Sequence, residues 1–133
     1  MLGQKCLSLT RKAMSDYKFT LPYPPSINGY WRNFKGRQII SKRGREYVKL
    51  VAEKMLELKL HSEMISANVN FEMTINPPTL RKYDVDNFTK GVFDALTKCD
   101  FWVDDEQVQK LTVKKGEKVK GGNVEIIVTC LNY

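Results

Sequence analysis

Residues 81–108 read RKYDVDNFTKGVFDALTKCDFWVDDEQV. Two acidic clusters, Asp84-Val85-Asp86-Asn87 and Asp104-Asp105-Glu106, bracket a stretch in which Phe88, Val92, Ala95/Leu96 and Cys99 recur on one face. That period predicts a helix from about Asn87 to Lys98. Asp86 stands where an N-cap carboxylate would accept backbone N–H bonds. Just before this run, NVNFEMTIN (68–76) alternates Val69, Phe71, Met73 and Ile75 against polar neighbours, a strand with one wet face that Pro77-Pro78 ends. Just after it, QKLTVKKGE (109–117) and NVEIIVTCL (123–131) alternate around the Gly121-Gly122 turn. Their closeness predicts an antiparallel hairpin.

Further out, YKFTLPY (17–23) is a short strand with Tyr17, Phe19 and Leu21 on one face, stopped by Pro22 and Pro24-Pro25. In the segment 26–45, cations alternate with Tyr30, Trp31 and Phe34, and Gly36-Arg37 marks a hairpin tip. Ser41 is placed to cap a helix over 43–60, whose buried face is Tyr47/Val48, Val51, Met55 and Leu58. His61 follows as a partner of the helix dipole and carries no catalytic expectation. The outline lacks the regular strand–helix alternation of a doubly wound sheet. It predicts an α+β single domain: a mixed, largely antiparallel sheet with two helices packed on it.

The chain has 133 residues, 42% of them apolar, which suits one globular domain and excludes disorder, collagen-like and coiled-coil classes. No apolar run approaches the ~20 residues that span a bilayer, so no membrane partner is expected. Residues 1–15 read as a mobile N-terminal extension ahead of a domain at 16–133. They lack the apolar core of an export signal. Cys6, Cys99 and Cys130 are odd in number and lack CxxC spacing, so neither a disulfide framework nor a structural zinc is indicated, and a cytoplasmic setting is expected.

Charge is unevenly spread. Residues 1–50 carry +9 and residues 51–133 carry −2, within a total of +7. A basic half suits a polyanion, and Arg32, Lys35, Arg37, Lys42, Arg43 and Arg45 are the candidate phosphate contacts. The acidic half suits a cation. In extended chain, Asp84 and Asp86 would point to one side and repel unless a cation neutralised them. If the chain returned Asp105 beside them, an all-oxygen site for Mg²⁺ or Mn²⁺ would form. Lys90, one helical turn beyond Asp86, could face a scissile phosphate. On spacing alone the blander readings stand too. The acids suit a helix N-terminus and a polar turn without any metal, Lys90 a solvated position, and Phe101 and Trp102 the core.

Three segments make the chain recognisable: TLPYPPSINGYWR (20–32), the run 81–108, and the GGNVEI turn and strand. Across about Tyr17 to Leu131 the sequence resembles the RusA family of Holliday-junction resolvases. The resemblance implies a homodimer that binds four-way junction DNA in recombination and repair and nicks two opposing strands, using Mg²⁺ or Mn²⁺. It also suggests a phage or prophage gene. By position in the matching run, it implies that Asp84, Asp86 and Asp105 are catalytic metal ligands and that Lys90 is the catalytic lysine. The alternatives are a non-catalytic junction- or duplex-binding module, which needs the basic segment but not the acids, and an RNA-directed protein using the same charges.

Overall fold

The computed structural model describes residues 17–131. The extension expected at residues 1–15 lies outside them. In chain order the elements are β1 (Tyr17–Pro22), a one-turn helix α1 (Ile27–Tyr30), β2 (Trp31–Phe34), β3 (Arg37–Ile40), α2 (Lys42–Glu57), β4 (Val69–Asn76), α3 (Thr89–Lys98), β5 (Val108–Lys115) and β6 (Asn123–Cys130). Single 3-10 turns at Val85–Asn87 and Asp105–Gln107 precede α3 and β5. This is an α+β domain with a mixed sheet, as the sequence predicts.

Four strands form the main sheet in the order β1-β6-β4-β5. β6 is antiparallel to both β1 and β4, while β4 and β5 run parallel. The predicted hairpin of the last two strands is therefore corrected: β4 separates β5 from β6. Burial decides the order. β6 buries Val124, Ile126, Val128 and Cys130, which align with Ile75, Met73, Phe71 and Val69 of β4. On its other side Leu21, Phe19 and Tyr17 meet Val124, Ile126 and Val128. β5, with exposed Lys110, Lys114 and Lys115, takes an edge, where lysines also discourage pairing with another chain.

α2 and α3 bury Tyr47, Val51 and Met55, and Val92, Ala95 and Leu96, in the same core. Ser41 caps α2 as expected, its Oγ accepting the Gly44 N–H at 3.0 Å. The helix ends at Glu57, short of the predicted 60, and Leu58 lies partly exposed with Lys59 at positive φ. Phe101 and Trp102 are fully buried, so both are core. Cys99 is free and Cys130 is disulfide-bonded, where cysteine spacing predicts no bridge. Among the described residues no helix is long and apolar enough to cross a membrane.

The second sheet is the lone hairpin β2–β3. Its turn is Lys35-Gly36, with φ of 51° and 78°, one residue earlier than the predicted tip. Two successive positive φ values match the twist of a two-residue hairpin turn, and Gly36 meets that demand without strain. Tyr30 roots the hairpin in the domain. Its ring is buried, its hydroxyl donates to Asp94 of α3, and its carbonyl accepts the Ser41 N–H at 2.8 Å. Gly44 and Gly91 leave room for it: a Cβ on Gly44 would sit 2.6 Å from the Tyr30 carbonyl oxygen, and one on Gly91 3.2 Å from its ring.

Candidate active site and nucleic-acid interface

The chain enters α3 differently from expectation. Phe88, not Asp86, occupies the N-cap position, and no side chain caps this helix. The cause is burial: the Phe88 ring is drawn into the core and fixes where the helix starts. Asp84 is extended, but Asp86 lies within the 3-10 turn, so they do not share the expected strand-like face. Within this turn the Asp84 carbonyl, not its carboxylate, accepts the Asn87 N–H at 3.2 Å. Both carboxylates are exposed and perform no capping.

The second acidic turn is firmly built. Asp104 caps it by accepting the Glu106 N–H at 3.4 Å, and Gln107 Oε1 accepts the Asp104 N–H at 2.8 Å. The Gln107 amide also donates to the carbonyls of Ile65 and Ala67, both at 2.8 Å. Asp104 thus fulfils the polar-turn reading, whereas Asp105, beside it, does something else. Burial, a hydrogen bond shared with Asp104, and the charges of Asp104 and Asp94 push the Asp105 carboxyl above its ordinary range, while Lys90 pulls it down. Lys90 thus acts on Asp105 through its charge, without an ion pair between them among the described residues.

Asp84 and Asp86 do not join them at bonding range. Among the described residues, no group of three or more His, Cys, Asp or Glu side chains is placed to hold a metal ion. The Val85–Asn87 turn packs against β5 and the Asp105–Gln107 turn against α3, so the two acidic turns sit on neighbouring elements. Asp94, which sequence reading passed over, accepts from Tyr30 and lies 3.8 Å from Lys98. Its spacing of four residues from Lys90 was a usable signal, since i and i+4 share a helix face.

The predicted phosphate contacts fall into two exposed groups: Arg32, Lys35 and Arg37 on the β2–β3 hairpin, and Lys42, Arg43 and Arg45 in the first turn of α2. Arg32 and Lys35 each lie 5.4 Å from the ring centre of Phe34, itself 45% exposed near the hairpin tip. A groove of about 650 Å³ runs beside the first acidic turn, and Arg43, Arg81, Lys82, Tyr23 and Tyr83 line it. Arg81 and Lys82 directly precede Tyr83-Asp84 in the quoted run, so their charge was legible although their groove was not. Lys115 sits 4.7 Å over the Tyr83 ring at one side of it.

These elements define a small α+β domain in which an exposed lysine, two exposed carboxylates and the half-buried Asp105 stand near cation-lined grooves. The chain belongs to the RusA family: residues 22–129 match the family described as Endodeoxyribonuclease RusA. It is 38% identical over 116 residues to the crossover junction endodeoxyribonuclease rusA of Enterobacteria phage HK97, covering 87% of this chain and 96% of that protein. It is 38% identical over 120 residues, with the same coverage, to the proteins so named from Escherichia coli strain K12 and Enterobacteria phage 82. The resemblance read from the residues is thus borne out.

Proposed function

We propose that this protein is a crossover junction endodeoxyribonuclease, which binds four-way DNA junctions and cuts them by paired, symmetric nicks. The observation that carries this reading is the match of residues 22–129 to the RusA family, in a domain that covers nearly the full length of relatives so named. Asp84, Asp86 and Asp105, which are not gathered at ligand distance in this structure, would have to draw together to hold Mg²⁺ or Mn²⁺. Their donor set fits a hard cation because it is all carboxylate oxygen, and the crowding of Asp105 by Asp104 and Asp94 is a like-charge conflict that a cation relieves. Such an ion supplies polarisation of the phosphodiester and acidification of an attacking water.

The chain's own residues do the rest. Lys90 places an ammonium where negative charge grows on the phosphoryl oxygens. Asp94, fixed by Tyr30, adds negative charge beside Asp105 and so favours occupation by a cation. The hairpin and α2 cations bind backbone phosphates and position the arms. A C₂ homodimer would offer two equivalent sites to a junction of matching symmetry.

The test is incubation with a mobile synthetic four-way junction, with and without Mg²⁺, beside the Asp84→Asn variant. Paired nicks that need both metal and Asp84 support the proposal. Junction binding with no cutting in Mg²⁺ would instead identify a binding module. Cutting that survives Asp86→Asn combined with Asp105→Asn would remove the carboxylates from the chemistry.

A further inference from the structure

Lys90 also borders a second groove, of about 450 Å³, between α3 and the β2–β3 hairpin. Its lining differs in kind from the phosphate-binding surfaces. Asn28 comes from α1, and Trp31, Asn33 and Gln38 from the hairpin; Arg32 borders it from the adjacent position. Asn33 and Gln38 are directly opposed across the β2–β3 ladder, so their side chains leave one face together, the face of Trp31. Arg32, Phe34 and Arg37 alternate onto the other face. The hairpin therefore has a cationic side and an amide side, and the amide side shares a groove with Lys90.

The chemistry of this division points to one ligand. A phosphate offers only acceptors, which Lys and Arg serve best. A side-chain amide carries a donor and an acceptor together, the pattern that a base edge presents. None of the three amides is committed to a hydrogen bond among the described residues. Trp31, half-buried and edge-on to Tyr30 at 5.0 Å, supplies an aromatic wall to the same groove. The groove is also held in place, because Tyr30 between Gly44 and Gly91 ties the hairpin to the helix that carries Lys90.

We propose that Asn28, Asn33 and Gln38 form a base-reading groove that receives a nucleotide next to the phosphate faced by Lys90, and so decide where along a junction the enzyme cuts. This inference rests on the nuclease reading above. It makes the amide face a specificity determinant, separate from the cationic face that supplies affinity.

The experiment maps cuts on a mobile junction whose branch point migrates through a randomised core. Each reaction yields ratios between sites, so a general loss of rate does not distort the readout. The wild-type protein should favour a subset of sequences. Asn33→Ala and Gln38→Ala, singly and together, should flatten that preference by roughly tenfold, the scale of one lost bidentate base contact. Arg37→Ala, on the opposite face, should weaken binding at all sites and keep the ratios. Wild-type cutting without preference would overturn the inference, as would amide variants that retain the wild-type ratios or make no cuts at all. A wild-type protein that binds junctions and never cuts them would sink the nuclease reading itself, and this inference with it.

Discussion

Asp105 concentrates the conflict between stability and chemistry. Its carboxyl is raised above the ordinary 3.8 by burial first, then by Asp104. A raised folded value means that this group's contribution to stability is complete below about 3.8 and is lost as pH rises through the folded value. At neutral pH, ionised Asp105 therefore burdens the metal-free fold. Asp105→Asn should raise Tm in EDTA at pH 7 and flatten the fall in stability above pH 4, while abolishing cutting; melting curves across pH and the junction assay measure both. The buried Tyr47 phenol behaves alike at the alkaline end. Burial and then the Tyr30 phenol push it up from 10.0, so its contribution holds below pH 10 and is lost above it. Its hydroxyl donates to the Pro22 carbonyl at 2.8 Å. Tyr47→Phe should cost about 1 kcal/mol near neutrality and soften alkaline unfolding, as denaturant titrations at pH 7 and pH 11 would register.

Among elements, the hairpin depends on a few close approaches. Gly44→Ala gains up to about 1 kcal/mol of helix propensity but drives a Cβ to 2.6 Å from the Tyr30 carbonyl and 2.8 Å from the Ile40 methyl. Backbone cannot yield cheaply there, so a net loss of about 1–3 kcal/mol is expected in urea unfolding. The helix starts tell a similar story. Ser41 was readable as a cap because a short polar side chain precedes an amphipathic run, and nothing competes with it. Asp86 had the right residue type in the right place, yet Phe88 buries its ring and takes the N-cap position. A capping carboxylate contributes about 1 kcal/mol, whereas burying an aromatic ring contributes more.

For the whole molecule, binding and cutting should separate. On the proposed reading, cations on the hairpin and on α2 would bind phosphates without help from a metal. EDTA should therefore stop cleavage while leaving the junction shift on a native gel in place. Combining Arg37→Ala with Lys42→Ala should lower the salt slope of binding by nearly two, about 0.9 per lost duplex phosphate contact. An unchanged slope would remove those residues from the interface. The grooves beside the first acidic turn and beside Lys90 join the basic first half of the chain to the acidic second half. The charge asymmetry along the sequence thus becomes a juxtaposition in space.

Local pattern alone determined the strand at 69–76, the buried faces of both long helices, the Ser41 cap, and the acid and lysine positions that carry the family resemblance. Each follows from short-range periodicity or residue chemistry, which the chain states within one or two turns. Only the tertiary structure decided that β6 lies between β1 and β4, that Phe88 displaces Asp86 from the cap, that Tyr30 bonds to Asp94 on the helix that carries Lys90, and that the hairpin's amides share a groove with that lysine. Those outcomes come from competition among distant apolar surfaces for one core. Proximity along the chain favoured pairing β5 with β6, but burying both flanks of the more apolar strand won.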